Sequence, residues 1–364
     1  MAPSSSGDSA TDRLDIERLS RWMLDQGLPI DPTRPIDIEL LARGRSNVTY
    51  RLHQDERDWV VRRPPFGHVM PSAHDMSREF RVISGMYAGG FAVPTPIALC
   101  EDPEVIGAVF HLMGYVPGLV MGSKAETAHL SPQQARELSL ELVGTLARLH
   151  GIDAEAVGLG DLGRPEGFLQ RQAKRWRQQW ELSQTRDQPL AIALVDRLDE
   201  RLAELPDNLP WSVVHGDYRL DNCIVDPESM KIAAVVDWEM STLGDPLTDL
   251  ALLCVYWTRS GDRRLKQLPV VDGVTDHEGF LNRHELVEEY SRISGRDVSH
   301  LDVCISLSCF KLAVILESIR KRILAGAQVG AAADQADAMG QATDVLLEVG
   351  MAALEGDALE ALGS

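Results

Sequence analysis

His215-Gly216-Asp217-Tyr218-Arg219-Leu220-Asp221-Asn222, followed by Cys223-Ile224-Val225, Asp226-Pro227-Glu228-Ser229 and Ile232-Ala233-Ala234-Val235-Val236-Asp237, is the stretch on which the reading of this chain turns. Trp211–Val214 before it has the composition of a strand, and His215 to Asn222 that of a polar loop. Cys223–Val225 and Ile232–Val236 are short apolar runs joined by a Pro-containing turn. Pairing Cys223–Val225 antiparallel with Ala234–Val236 brings Asn222 and Asp237 side by side at the open end of a hairpin. Mg²⁺ is a hard cation that takes one or two protein oxygens and fills its other positions with water and substrate phosphate, so Asn222 and Asp237 are candidate ligands. Asp217, on the same loop, is a candidate base for a substrate hydroxyl while metal holds the phosphates. Each of these residues taken singly also suits a turn or a helix cap; the ordered set argues for phosphoryl transfer.

Working outward, hydrophobic residues make up 44% of the 364-residue chain, enough for a large core and one large domain or two lobes. Residues 1–11 are small and polar and are expected to be disordered. The apolar runs are too short for a membrane helix, and the N-terminus has no signal-peptide pattern, so a cytoplasmic protein is expected. A net charge of −19 repels nucleic acid and anionic membranes. The five scattered cysteines contain no Cys-x-x-Cys pair and read as reduced core thiols.

A helix is expected near Leu14–Gly27. Short β-like runs follow over Ile36–Ala42, Val48–Leu52, Trp59–Arg62, Ile97–Cys100 and Val105–Leu112, with one helix carrying the stripe Met76, Phe80, Ile83, Tyr87. Helical patterning dominates after Pro117. It begins with Ser131-Pro132 and Gln134, a capping box that opens a Leu138, Leu142, Leu146, Leu149 stripe. Further helices are expected over about 165–205, 245–257, 284–294, 303–325 and 334–360. The expectation is therefore an α+β chain: a small antiparallel-sheet lobe with one packed helix over 12–116, and a larger, mainly α lobe over 117–364.

His215-Gly216-Asp217-Tyr218-Arg219-Leu220-Asp221-Asn222 with Val235-Val236-Asp237-Trp238-Glu239 and Gly244-Asp245-Pro246-Leu247-Thr248-Asp249-Leu250 resembles the aminoglycoside phosphotransferase/choline kinase-like superfamily. It is most similar to the kinase-like branch that occurs fused to acyl-CoA dehydrogenase modules, over about residues 36–325. The resemblance implies a two-lobed protein-kinase-like fold that uses ATP and Mg²⁺, with Asp217 as catalytic base and Asn222 and Asp237 as metal ligands. His215 and Arg219 complete the catalytic set. His215, Asp217 and Asn222 also satisfy the kinase catalytic-loop spacing, with His215 expected to orient the loop. Asp245 and Asp249, flanking Pro246, are expected to be structural.

The same comparison directs attention to the first lobe. Gly44, Ser46 and Asn47 lie in a loop between strands that suits phosphate covering. Where kinases carry a lysine, this chain has Arg62, with Glu79 on the following helix as its expected partner; adjacent strand residues face opposite ways, and whether Arg62 or its neighbour Arg63 points inward is not legible in the sequence. Met113, Tyr115 and Val116 belong to a connector that offers backbone groups to adenine.

The expected activity is therefore ATP- and Mg²⁺-dependent transfer of a γ-phosphate to a hydroxyl of a small molecule. The alternatives are a nucleotide-binding pseudokinase or a metal-dependent phosphoesterase. Gly158-Leu159-Gly160-Asp161-Leu162-Gly163 matches a dinucleotide-binding pattern but lacks its strand–helix context, and His284-Glu285-Leu286-Val287-Glu288 lacks the second histidine of a zinc protease. Two basic clusters, Arg171/Lys174/Arg175/Arg177 and Arg259/Arg263/Arg264/Lys266, either meet an anionic acceptor or form solvated faces. A CoA-linked or other small metabolite fits the resemblance better than a polycationic aminoglycoside. Oligomeric state and the choice between ATP and GTP are not legible.

Overall fold

The computed structural model describes residues 14–43, 47–65, 75–268, 273–326 and 333–363. The expected tail at 1–11 and the loop residues Gly44 and Ser46 lie outside them. The chain divides into two compact units, Met1–Pro117 and Gly118–Ser364.

The first unit contains α1 (Ile16–Asp25), β1 (Asp37–Arg43), β2 (Val48–Gln54), β3 (Arg57–Arg63), α2 (Met76–Ala88), β4 (Pro96–Cys100) and β5 (Phe110–Gly114). Its five strands form an antiparallel sheet in the order β1-β2-β3-β5-β4. Alternation along β2 and β3 sends Leu52 and Val61 to the core face, where Phe110 and Leu112 of β5 join them, all fully buried. Val105 and Ile106, expected to open β5, instead pack on this core from a turn; Gly107 has φ +81 and its N–H closes onto the Pro103 carbonyl at 2.7 Å.

Asp75 caps α2 by accepting from the Arg78 N–H at 2.9 Å. The buried face of α2 is Met76, Glu79, Val82, Ile83 and Met86, whereas Tyr87 is exposed. The apolar stripe expected through Phe80 and Tyr87 is thus rotated. The inward position that hydrophobicity alone passes over is Glu79, which burial tolerates because Arg62 pairs with it there.

The second unit begins with β6 (Leu119–Val120), α3 (Lys124–Thr127), α4 (Pro132–His150), α5 (Phe168–Ser183) and α6 (Pro189–Ala203). It continues through β7 (Ser212–Val214), β8 (Cys223–Val225), β9 (Ile232–Val235), β10 (Thr242–Gly244) and α7 (Leu247–Tyr256). The last elements are α8 (Arg283–Ser294), α9 (Leu301–Leu324), α10 (Ala333–Glu355) and α11 (Ala358–Gly363). The capping box at α4 forms on both arms, and Leu138, Leu142, Leu146 and Leu149 are fully buried.

Two short sheets, β7–β10 and β6–β8–β9, interrupt the helices. The hairpin register differs from the expected one by a residue: Cys223 faces Val235, and the Val236 N–H donates to the Asn222 carbonyl at 2.9 Å. Val236, not Asp237, therefore stands opposite Asn222. Asp237 comes one residue later in the left-handed conformation, φ +67 and ψ +59, and turns the chain into a short 3-10 segment. Gly158–Gly163 falls in turns, with no strand before it.

Candidate active site

β7 delivers the chain to His215, and the loop that follows is held at nearly every residue. The carboxylate of Asp249, in the first turn of α7 and fully buried, accepts from the His215 N–H at 2.6 Å and the Gly216 N–H at 2.8 Å. Burial pushes this carboxyl up, but the hydrogen bond from His150, with help from the His215 N–H, outweighs it and keeps Asp249 below the usual carboxylate range. His150, at the end of α4, meets Asp249 through Nε2 at 3.2 Å and the Tyr290 hydroxyl through Nδ1 at 2.7 Å. Burial lowers its pKa, favouring the neutral ring.

The His215 ring staples the loop to the hairpin. Nδ1 accepts from the Asp217 N–H at 3.2 Å, so the proton resides on Nε2, which donates to the Val236 carbonyl at 2.9 Å. With both ring nitrogens engaged, His215 orients the loop. Gly216 has φ +84, and a Cβ there would lie 2.8 Å from the Met240 carbonyl oxygen, so this turn requires glycine. Tyr218, fully buried, donates to the Leu142 carbonyl at 2.8 Å, and Lys311 of α9 donates to the Gly216 carbonyl at 2.9 Å.

Within this frame Asn222 Nδ2 donates to the Asp217 carbonyl at 2.8 Å and to its Oδ2 at 3.1 Å. Asp217 is thereby pinned with its carboxylate still about one-third exposed, 35%. Because the Asn222 amide nitrogen is committed to Asp217, its Oδ1 is the atom left for a cation. An amide oxygen and the Asp237 carboxylate are hard donors, a set suited to Mg²⁺. Arg219 pairs with Asp221, lies 3.9 Å from Asp217 Oδ2, and stacks its guanidinium 4.7 Å from the Tyr256 ring centre. The other motif aspartate, Asp245, accepts from the Leu247 N–H at 2.9 Å and pairs with His300 Nε2 at 2.7 Å, joining the start of α7 to that of α9.

In the first unit, Arg62 of β3 pairs with Glu79 of α2, Nε to Oε1, at 2.9 Å. His111 of β5 approaches the same carboxylate at 3.7 Å, and Glu79 is 1% exposed. Burial raises the Glu79 carboxyl, but the charge of Arg62 and the contact with His111 prevail and hold it at about 2. Arg63 points the opposite way, donating to the Ile106 carbonyl at 2.7 Å. Asn47 is buried at the start of β2; Met113 is buried in β5, and Tyr115 and Val116 are partly buried beyond it, with Arg51 over the Tyr115 ring at 4.1 Å.

Lys311 and His150 escape a motif-based reading. The one signal for Lys311 is a single cation inside the apolar run Cys309-Phe310-Lys311-Leu312-Ala313-Val314; His150 reads simply as the end of a helix. The partnership of Asp249 with the loop backbone spans 34 residues and leaves no local signature.

The family model described as the phosphotransferase enzyme family matches residues 37–272. The chain belongs to this family. Among curated relatives, acyl-CoA dehydrogenase family member 10 of Mus musculus is 32% identical over 323 residues, 87% of this chain and 29% of that protein. The chain therefore spans less than a third of that relative. A Ralstonia eutropha crystal structure assigned as an aminoglycoside phosphotransferase aligns with a TM-score of 0.77 at 31% identity, covering 94% of this chain and 99% of that one. Spectinomycin phosphotransferase, in complex with ADP and spectinomycin, aligns with a TM-score of 0.55 at 12% identity over 93% and 98%, a likeness of fold. The phosphotransferase family member described here thus has the protein-kinase-like α+β fold of these enzymes, as the family resemblance implied. Among its described residues no helix is long and apolar enough to cross a membrane.

Proposed function

We propose that this chain transfers the γ-phosphate of ATP to a hydroxyl group of a small metabolite, with residues 12–116 serving the nucleotide and 117–364 the acceptor. The observation that carries this is the Asp217–Asn222 pair, joined through Nδ2 at 2.8 and 3.1 Å on a loop whose backbone is clamped by Asp249. A carboxylate fixed in one rotamer yet open to solvent suits a group that orients a hydroxyl and accepts its proton as the oxygen attacks phosphorus. Asn222 Oδ1 and the Asp237 carboxylate would hold Mg²⁺. When bound, the cation supplies charge neutralisation to the phosphates. His215 keeps the loop and hairpin in register, and Arg219, shared between Asp221 and the Tyr256 ring, contributes positive charge near the base.

In this reading Arg62, anchored to Glu79, presents a guanidinium to the phosphates as a planar donor in place of an ammonium. Asn47, with Gly44 and Ser46, covers the phosphates, and the backbone of Met113, Tyr115 and Val116 meets adenine. A cytoplasmic location, where ATP is abundant and thiols stay reduced, agrees with five free, buried cysteines. The relative named for acyl-CoA dehydrogenation favours a metabolite such as a hydroxyacyl-CoA-like molecule over an aminoglycoside as acceptor. A second reading, a nucleotide-binding pseudokinase, draws on arginine at the lysine position. Calorimetric titration of ATP with and without Mg²⁺, together with ADP release across hydroxylated metabolites, separates the two. Tight Mg-ATP binding with no ADP release for any acceptor favours the pseudokinase, and absence of nucleotide binding removes both.

A further inference from the structure

The two basic clusters of the sequence are largely consumed by structure. Arg171 donates to the carbonyls of Arg164 and Glu166, and Arg177 pairs with Asp196 at 2.7 Å and Asp199 at 2.8 Å. Arg259 donates to the Leu281 carbonyl at 3.1 Å, Arg264 pairs with Glu348 at 3.4 Å, and Lys266 pairs with Asp276 at 3.0 Å. Lys311 is a cation that none of these uses explains.

It lies in the middle of α9, away from the C-terminal turn where a cation would meet the helix dipole. The residues one turn to either side of it, Leu307, Ser308, Val314 and Ile315, offer no carboxylate for a pair along the helix. Leu307, Ser308 and Val314 are buried, and Lys311 itself is only partly exposed. An ammonium in that position is costly to desolvate: burial pushes its pKa down, and the carboxylates of Asp217 and Asp249 pull it back up only in part. Among the described residues its one hydrogen bond is to the Gly216 carbonyl, at 2.9 Å.

That carbonyl belongs to the peptide unit that joins Gly216 to Asp217. At the other end of the same unit, the Asp217 N–H donates to His215 Nδ1 at 3.2 Å. Gly216 has φ +84, and glycine restrains its own backbone least, so rotation of this peptide plane is the motion that would re-aim Asp217. His215 holds one polar group of the plane and Lys311 the other, while Asp249 fixes the unit before it through the Gly216 N–H at 2.8 Å. We infer that Lys311 is a positioning residue for the base: by holding the Gly216 carbonyl it fixes the peptide plane from which the Asp217 side chain departs. This rests on the phosphotransfer reading for the role of Asp217 and adds to it a residue that aims that side chain from another element. Asn222 fixes the carboxylate and Lys311 the backbone that carries it. The demand is physical, since a misplacement of about 1 Å can lower a rate on the order of 10²-fold.

The test compares the parent with Lys311→Met and Lys311→Arg by two measurements. Hydrogen–deuterium exchange of the nucleotide-free protein reads the Gly216 and Asp217 amides, and ADP release from Mg-ATP with a deproteinised metabolite extract reads turnover. Methionine is close to lysine in length and suits the apolar neighbours, so Lys311→Met is expected to melt close to the parent. Its Gly216 and Asp217 amides should exchange at least about tenfold faster while those of α9 keep the protection of the parent. Turnover should fall roughly 10- to 100-fold in kcat, with KM for Mg-ATP unchanged. Lys311→Arg, which keeps a cationic donor, should restore most of both. Parent-like exchange at Gly216 and Asp217 in Lys311→Met, or faster exchange there with an unchanged kcat, overturns the inference. A lower Tm with faster exchange throughout α9, not relieved by arginine, would make Lys311 a brace of the core and overturns it as well. If the loop amides quicken as expected but the parent releases no ADP, the phosphotransfer reading falls while the hold of Lys311 on the loop survives.

Discussion

Asp217 owes its rotamer to Asn222 and its backbone to His215, so the acidic function can be removed with the geometry left in place. In Asp217→Asn the amide oxygen can still accept from Asn222. The variant is expected to melt within about 0.5 kcal/mol of the parent and to bind Mg-ATP, with ADP release lower by roughly 10²–10⁴-fold. Unchanged turnover in a stopped assay would remove the base assignment. Glu79 makes the complementary prediction about stability. Its folded-state carboxyl, at about 2, lies below its ordinary value of 4.5, so the ionised form is the one that folding favours. That contribution is fully present above pH 4.5 and is lost as the pH falls toward about 2. Glu79→Gln should destabilise the protein by about 3 kcal/mol at pH 7, because it strands Arg62. It should also flatten this part of the acid limb in urea melts; an acid limb identical to that of the parent would contradict the pairing.

At the scale of elements, α7 and α9 are tied at their starts by the Asp245–His300 pair at 2.7 Å, with Cys304 of α9 alongside. Burial lowers the His300 pKa, but the Asp245 carboxylate overcomes it, and the net direction is upward from 6.5. The sign follows directly. The pair contributes fully below pH 6.5, where His300 is protonated in both folded and unfolded chains, and the contribution disappears as the pH rises through the raised folded-state value. Parent protein should therefore lose Tm across that neutral-to-alkaline window relative to His300→Gln, whose profile should be flatter there. Parallel profiles from calorimetric scans would show that the tie is not charged. α7 matters beyond its own stability, since Asp249 in its first turn holds the His215 and Gly216 N–H groups. Displacing α7 would thus be felt at the loop that begins at His215.

For the whole molecule, ligand linkage provides the cleanest readout. If Asn222 and Asp237 hold Mg²⁺ against nucleotide phosphates, Mg-ATP at 100 times its dissociation constant should stabilise the protein by about 2.7 kcal/mol. ATP with a chelator should do markedly less. Asp237→Asn should remove most of the difference between the two conditions, and an equal shift with and without Mg²⁺ in thermal melts would count against the ligand pair. Length also matters at this scale, because the alignment covers 87% of this chain but 29% of the acyl-CoA dehydrogenase family member 10 it resembles. The phosphotransferase family model accounts for residues 37–272 of this chain.

Local pattern carried much of the fold. The β2–β3 hairpin, the Ser131 capping box and the leucine stripe of α4 are written in nearest-neighbour chemistry, and Cys223–Val225 forms at its expected bounds. The placement of two of the candidate residues was legible for the same reason, since Asp217 and Asn222 share one loop, whereas Asp237 lies beyond the end of β9 and turns the chain into a 3-10 segment. Packing alone decided the rest. The hairpin register differs by one residue, with an irregularity between Ile224 and Val225, and the His215 ring meets the Val236 carbonyl from outside the hairpin. Glu79 turned inward, because Arg62 and His111 arrive from two other strands, and Lys311 reached the loop from a helix 95 residues away. A buried charge is stable only where distant partners converge on it, and that convergence exists in three dimensions and not in the order of residues.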